Sequence, residues 1–183
     1  MTHTRTPIAT GSAVTLDQVK DRARIDGDDD DVGLQALIDT AAAEIEAHCG
    51  LALMGQVVTV TLRAWCKRIP LPVGPFWADG LADHPVTVEL LTEAGDATPH
   101  PAGWWIESGR YPVLNLTGDG NGAAIRIRYP AGYGDASGIP ADLQLAITDH
   151  AAMLYDARGM TDAPQGLSIA ATRIAARHRR IGI

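Results

Sequence analysis

The chain has 183 residues, of which 46% are apolar and 20% are charged, and its formal net charge is −7. The composition is that of an ordinary globular domain, which excludes a mainly disordered chain, and no stretch approaches the roughly 18 uncharged apolar residues of a membrane span. A chain this acidic is also a poor candidate for binding DNA or anionic lipid through its bulk surface.

Two helices are predicted in the first fifty residues, after an extended arm of fourteen residues. Thr15 and Gln18 form a capping-box pattern, which predicts a short helix over 16–24. A longer helix is predicted from Asp31, where acids complement its positive end, to Gly50, a natural stop. Its apolar stripe at helical spacing is Leu34, Leu37, Ile38, Ala41, Ile45 and His48.

The middle of the chain is predicted to be a β-rich insertion over residues 54–131. Its segments are rich in β-branched residues or alternate between apolar and polar positions, as strands do. Proline limits one of them, 67–72, to an edge strand or strap. The predicted segments are 56–62, 67–72, 86–91, 104–107, 113–116 and 124–129.

A last long helix is predicted to begin after Pro140, because proline suits the first helical turn, and to end near Arg158. Its apolar positions are Leu143, Ala146, Ile147, His150, Ala151 and Leu154. Neither long helix is stable alone, so they are expected to pack on each other. The predicted fold class is α+β, a small antiparallel helical bundle with an inserted β-rich block and an extended C-terminal arm.

The predicted domain organisation is one main domain over residues 1–158, with helices at 15–50 and 139–158, followed by a linker and basic arm over 159–183. The last fifteen residues carry four arginines and no acid, which leaves a charge of −11 on residues 1–168. Arginines alternating with apolar residues predict an amphipathic helix or arm that docks on an acidic partner. Nonspecific DNA contact and a frayed, solvated end are the alternatives.

The acidic loop is the first candidate functional site, and its most specific interpretation is a calcium-binding loop. Its carboxylates are Asp26, Asp28, Asp29, Asp30 and Asp31. In an EF-hand-like frame the sixth place would be Asp31 instead of glycine, and the twelfth would be Leu37 instead of glutamate. A solvated loop whose last acid caps the following helix is therefore favoured.

Nothing else in the sequence indicates catalysis, a metal or a cofactor. Histidines and the two cysteines are scattered without metal-ligand spacing, and no serine or cysteine has a recognisable nucleophile context. The sequence therefore predicts a protein that is not an enzyme, and His150 is expected to be a core or interface histidine. Two cysteines and no signal peptide favour a reducing, intracellular place of synthesis.

Adjacent tryptophans mark a candidate contact surface. Trp104 and Trp105 lie on a predicted strand, so their side chains point to opposite sides of it. One of them is therefore expected to lie outside the core, where it would contact another subunit or a partner, and core packing is the alternative.

Together these features resemble one family, the head-tail connector (adaptor) proteins of long-tailed bacteriophages and the related adaptors of gene transfer agents. The order and spacing of four stretches carry the resemblance. They are the short helix at 14–20, the acidic loop with 34–46 and 49–53, the segment 127–135, and the helix 139–158.

The resemblance implies a homo-oligomeric ring, typically of twelve subunits, that docks beneath the portal in the virion neck. Such a ring is assembled in the host cytoplasm, extends the channel through which DNA passes, and gives stopper or tail-side proteins a surface, with no cofactor and no membrane. By position, the portal would contact the tail at Ile169, Arg173, Ile174, Arg177, Arg179 and Arg180. Acids of the loop would face the channel or its rim. A tail-completion or stopper protein, or another assembly protein, is the alternative.

Overall fold

The computed structural model describes residues 1–161 and 165–179, and the chain forms two compact units. One, the β unit, contains Met1–Ala9 and Met54–Gly134. The other, the helical unit, contains Thr10–Leu53 and the chain from Asp135 onward. Each unit is therefore built from two separate stretches of sequence. The α+β class is confirmed; the boundary at residue 158 stays a prediction.

The β unit contains eight strands in two antiparallel sheets. They are β1 (Thr2–Pro7), β2 (Gln56–Leu62), β3 (Arg68–Pro70), β4 (Thr87–Leu91), β5 (Ala97–Pro99), β6 (Trp104–Glu107), β7 (Val113–Leu116) and β8 (Ala124–Ala131). The larger sheet has the order β1-β2-β8-β4-β5, and the smaller has β3-β7-β6. Every predicted strand is present, and the proline-limited β3 is an edge strand as expected.

The larger sheet buries one face through the alternation that the sequence indicated. Val58, Val60, Ile125 and Ile127 are fully buried. Tyr129 is fully buried too, and its hydroxyl donates a hydrogen bond to the Val73 carbonyl at 2.8 Å and accepts one from the Val73 amide at 3.2 Å. Because both polar contacts of the hydroxyl are satisfied, a tyrosine is tolerated in this apolar core.

The predicted N-terminal arm is, over Thr2–Pro7, the edge strand β1. It pairs antiparallel with β2 in the register Thr2 to Thr61 through Pro7 to Gln56. Proline is tolerated here because the strand lies at a sheet edge. Sequence reasoning did not identify β1 or the three-residue β5 as strands.

The helical unit contains four helices: α1 (Leu16–Ala23), α2 (Asp31–Cys49), α3 (Ala141–Asp156) and α4 (Ile169–His178). The capping box of α1 is confirmed: the Gln18 amide donates to Thr15 Oγ1 at 3.2 Å, and the Thr15 amide donates to Gln18 Oε1 at 2.8 Å. The end of α2 is confirmed as well, because Gly50 has φ 68°, the left-handed conformation that favours glycine.

Two predictions about α2 are wrong. His48 is exposed, and Cys49 takes the last buried position of the stripe, one residue further along the helix. The last acid of the loop, Asp31, is the first helical residue and not the cap; Asp30 occupies the N-cap position, and its carboxylate binds Tyr155 and Arg158 instead of capping the helix. The predicted buried positions Leu34, Ile38 and Ile45 are confirmed.

The segment that the sequence describes as an arm is helical over Ile169–His178. Helix α4 packs on α3 and α2, and it buries Ala171, Ile174, Ala175 and His178. The helical spacing of its arginines is thus confirmed, while its apolar positions face its own chain.

Candidate interaction surfaces

The acidic loop is bound to cations of its own chain. Lys20 Nζ lies 2.7 Å from Asp28 Oδ1 and 2.5 Å from Asp31 Oδ1. These contacts raise the pKa of Lys20 and lower the pKa of Asp28, because each charge stabilises the other. Within residues 1–161 and 165–179, Asp26 and Asp29 have neither a hydrogen bond nor an ion pair, and both are exposed.

Asp30 connects the start of α2 to the end of α3. The Tyr155 hydroxyl donates to Asp30 Oδ2 at 2.6 Å, and Arg158 Nη2 lies 3.2 Å from the same oxygen. The Tyr155 hydrogen bond, followed by the Arg158 charge, lowers the pKa of Asp30. The Arg158 guanidinium also lies 3.5 Å from the centroid of the Tyr155 ring, a cation–π contact. The loop is therefore fastened at one end of α3.

The beginning of α4 is held by a polar network under its cap. Ser168 Oγ accepts a hydrogen bond from the Ala171 amide at 3.2 Å and donates one to Asp149 Oδ2 at 2.7 Å. Arg22 forms an ion pair with the other oxygen of Asp149. Helix α1 is thereby connected to the first turn of α4 through one carboxylate of α3.

His150 is a core histidine, as expected, with no exposed surface. Its Nδ1 accepts from the Ser168 amide at 3.3 Å, so the ring proton belongs on Nε2, which donates to Glu44 Oε2 at 2.6 Å. The ring thus joins α2 to the residue that caps α4. This arrangement uses both ring nitrogens for structure and leaves neither for a metal.

The end of α4 is held at Asp142, in the first turn of α3. His178 Nε2 lies 2.8 Å from Asp142 Oδ2, and Arg177 Nη2 lies 3.4 Å from the same oxygen. Burial raises the pKa of Asp142, but the hydrogen bond and charge of His178, with Arg177, outweigh it and leave the pKa below its ordinary value. The pKa of Asp149 is lowered in the same way, since Arg22 and Ser168 outweigh the effect of burial.

These two carboxylates predict an acid-sensitive helical unit. Their pKa is lower in the folded state than in the unfolded state, so their stabilisation is complete above the ordinary value of 3.8 and is lost as the pH falls through the folded pKa. Urea unfolding followed by circular dichroism should show Asp142→Asn and Asp149→Asn less stable than the parent at neutral pH. The difference should shrink in acid. An exposed control, Asp26→Asn, should match the parent; an unchanged pH slope in both test variants would contradict the assignment.

The residues of the tail that are predicted to contact the portal differ in their exposure. Ile169 is 83% exposed and Arg173, Arg177 and Arg179 are exposed, whereas Ile174 is only 7% exposed and faces the neighbouring helices. Most of the Ile174 side chain is thus covered by its own chain while α4 is packed. Arg180 lies outside the described residues.

A groove runs between α3 and the exposed side of α4. It is lined by Leu145, Ala170, Arg173, Ile174 and Arg177 and has a volume of about 360 Å³. Leu145 is 48% exposed, although Leu143, Ala146 and Ile147 around it are fully buried. The groove therefore combines an apolar floor with two guanidinium groups. Sequence reasoning missed Leu145, whose only signal was its place outside the α3 stripe.

Trp104 and Trp105 are both exposed, at 37% and 51% of their surface. They lie on β6, an edge strand that pairs only with β7. Tyr111, in the connection between these strands, is 37% exposed. These are the large exposed aromatics of the described chain, and they share one hairpin. Exposed aromatic side chains at an open strand edge are typical of a contact surface. Sequence reasoning missed Tyr111.

The carboxylates of the acidic loop are not arranged as a metal site in the described part of the chain. Across residues 1–161 and 165–179, no three histidine, cysteine or acidic side chains are grouped so that they could hold a metal ion. The loop is thus a hydrogen-bonded structural loop in this part of the chain. None of the helices described is long and apolar enough to span a membrane.

Comparison with known proteins identifies related folds. The family model of phage gp6-like head-tail connector proteins matches residues 13–73. No curated protein sequence matches the chain. A chain in the neck of an empty gene transfer agent (GTA) particle, computed with C6 symmetry, is 24% identical with a TM-score of 0.80. The match covers 100% of this chain and 97% of that one.

Two further solved structures give the same result. A chain in the virion of a native GTA particle is 24% identical with a TM-score of 0.79, and one in the neck of a native GTA particle computed with C12 symmetry is 23% identical with a TM-score of 0.78. Each match covers 100% of this chain and 97% of the other. The resemblance to the phage head-tail connector family is thus confirmed over residues 13–73 by the family model, and the whole chain shares the fold of these GTA particle chains.

Proposed function

We propose that this protein is a structural component of a virion neck, a connector ring that docks beneath the portal and continues the DNA channel. The observation that carries the proposal is the coincidence of the connector family match with the fold of GTA neck chains along the entire sequence. A ring is supported by the C6 and C12 symmetry of the similar necks. Such a role requires surfaces that bind other proteins and does not require catalytic residues.

The portal contact is proposed at the exposed end of α4. Arg179 and Arg180 follow the packed helix, and Ile169 is an exposed apolar residue at its start. Arg179 directly follows the packed helix α4, and this end of the chain is basic whereas residues 1–168 carry a net charge of −11. A portal surface of opposite charge would both attract and orient the ring.

The acidic loop is proposed to lie at the rim of the ring. Asp28, Asp30 and Asp31 bind cations of their own chain, so they do not form a bare anionic lining. The exposed aromatics Trp104 and Trp105 are proposed to contact a tail-side neck protein, since they lie on the β unit, away in sequence from the tail.

Native mass measurement tests the proposal. The protein alone, and the protein mixed with purified portal particles, are compared; the expected result is several copies bound together on the portal. Arg179→Glu with Arg180→Glu should reduce this binding at least about tenfold, since like-charge contacts cost several kcal/mol. The matched control is Arg63→Glu with Arg110→Glu in the β unit, which should bind normally. Absence of any bound protein would refute the portal contact.

A deletion of residues 169–183 would be a poor substitute for these variants. It would remove Ala171, Ile174 and Ala175 from their packed positions and expose the apolar surfaces that they cover. Charge reversal at Arg179 and Arg180 removes none of these packed side chains, so it tests the contact more directly than the deletion does.

A further inference from the structure

The groove between α3 and α4 has the properties of a docking surface. Leu145 lies half-exposed on its floor, and Arg173 and Arg177 line it. Arg177 shares Asp142 with His178, whereas Arg173 has neither a hydrogen bond nor an ion pair in the part of the chain that the structure describes. An apolar floor beside an unpaired guanidinium fits a partner segment that is both acidic and apolar.

The same chain presents such a segment elsewhere. We call residues 26–32 the knob. Val32, in the first turn of α2, is 88% exposed, and Asp26 and Asp29 beside it are exposed and unpaired within the described residues. Within the described residues, the five carboxylates of the knob form ion pairs with two cations, Lys20 and Arg158. The knob therefore offers an apolar side chain surrounded by excess negative charge.

The knob and the groove of one molecule cannot meet. The groove lies at Leu145 on α3, while the knob is fastened to α3 at Tyr155 through Asp30. Ten residues of helix separate the two points, which at 1.5 Å per residue is about 15 Å along the axis. A contact between them needs a second copy of the chain.

We propose that adjacent copies bind by inserting the knob of one into the α3–α4 groove of the next, with Val32 against Leu145 and the knob aspartates against Arg173 and Arg177. Two different surfaces of one chain make a head-to-tail contact, which is the kind of contact that builds a ring when its rotation closes. The inference rests on the proposed ring and names the surfaces that build it. It leaves Arg179 and Arg180 for the portal.

Disulfide trapping tests the contact. Cys66 is first replaced by serine, since it is exposed, while Cys49 is buried. Val32→Cys and Leu145→Cys are then combined in one chain and oxidised on portal particles. The expected result is a ladder of covalent multimers on a denaturing gel, because every copy would contribute one thiol to each neighbour. Val32→Cys with Ala47→Cys, another exposed position on α2, is the matched control and should give no ladder.

Charge reversal gives a second, independent readout. Arg173→Glu should reduce the multimer yield at least about tenfold, because it places like charges together, and Asp26→Lys with Asp29→Lys in the same chain should restore much of it. If native mass shows several copies on the portal but the trapping variant gives no more multimer than its control, the proposed contact is wrong and the connector function stands. If no copies bind the portal at all, both fail.

Discussion

Ala175→Glu is expected to detach α4 from the helical unit and to destabilise that unit by about 3 kcal/mol, the scale for burying an unpaired charge. Ala175 has no exposed surface, and its carbonyl accepts a hydrogen bond from the Cys49 thiol at 3.6 Å. A glutamate there would bury a carboxylate in the packed face of α4. The affected contacts are those with α3 and α2.

The neighbouring residue supplies the control. Ala176 is exposed, so Ala176→Glu adds the same charge to the same helix without burying it. Amide hydrogen exchange should show rapid exchange along α4 in Ala175→Glu and protection close to the parent in Ala176→Glu. Equal protection in the two variants would mean that the packed face of α4 has been assigned incorrectly.

Gly132→Ala is expected to destabilise the β unit by about 3 kcal/mol or more, through backbone strain and a steric clash together. Gly132 has φ 115°, and a β-carbon there would lie less than 3.0 Å from the Met54 carbonyl oxygen. Because the obstacle is backbone, rotation of a side chain cannot relieve it. Urea unfolding followed by tryptophan fluorescence is a suitable measurement, since all four tryptophans lie within the β unit.

Gly95→Ala separates the two causes. Gly95 has φ 94°, but no atom lies within 4 Å of the place that a β-carbon would occupy. Its replacement should cost only the backbone strain, about 1 kcal/mol. If both variants lost the same stability, the clash with Met54 would contribute nothing and the close approach would have to be wider than described.

Periodicity explains why much of the fold could be predicted. Strand β2 and helices α1 and α2 each carry a complete local signal: alternation, a capping box, or an apolar stripe ended by Gly50. Strand β1 carries none, because it is exposed along almost its whole length and acquires its identity from β2, which follows it by about fifty residues. The burial of α4 could not be predicted from its own sequence either, because it depends on packing against α3.

The candidate surfaces also include features that local sequence predicts and features that depend on residues far apart in the chain. Exposure of one tryptophan could be anticipated because adjacent residues on a strand point in opposite directions, but exposure of both Trp104 and Trp105 could not. The partners of the acidic loop could not, since Asp30 finds Arg158 across 128 positions of sequence and nothing local links them. The same holds for Asp149 and Arg22, 127 positions apart. Excess charge in a sequence therefore did not reveal how much of it is neutralised within the same chain.

The interleaving of the two units has a consequence for synthesis. Residues 10–53 leave the ribosome before the whole central block, yet their packing partner α3 begins only at Ala141. At about 5–20 residues per second, the apolar stripe of α2 waits on the order of 4–18 s for that partner. During this interval α3 does not yet cover the apolar side chains of Leu34, Ile38 and Ile45, and they are suitable for binding by a nascent-chain chaperone. Slower translation of the central block would lengthen that exposure, and with it the opportunity for aggregation.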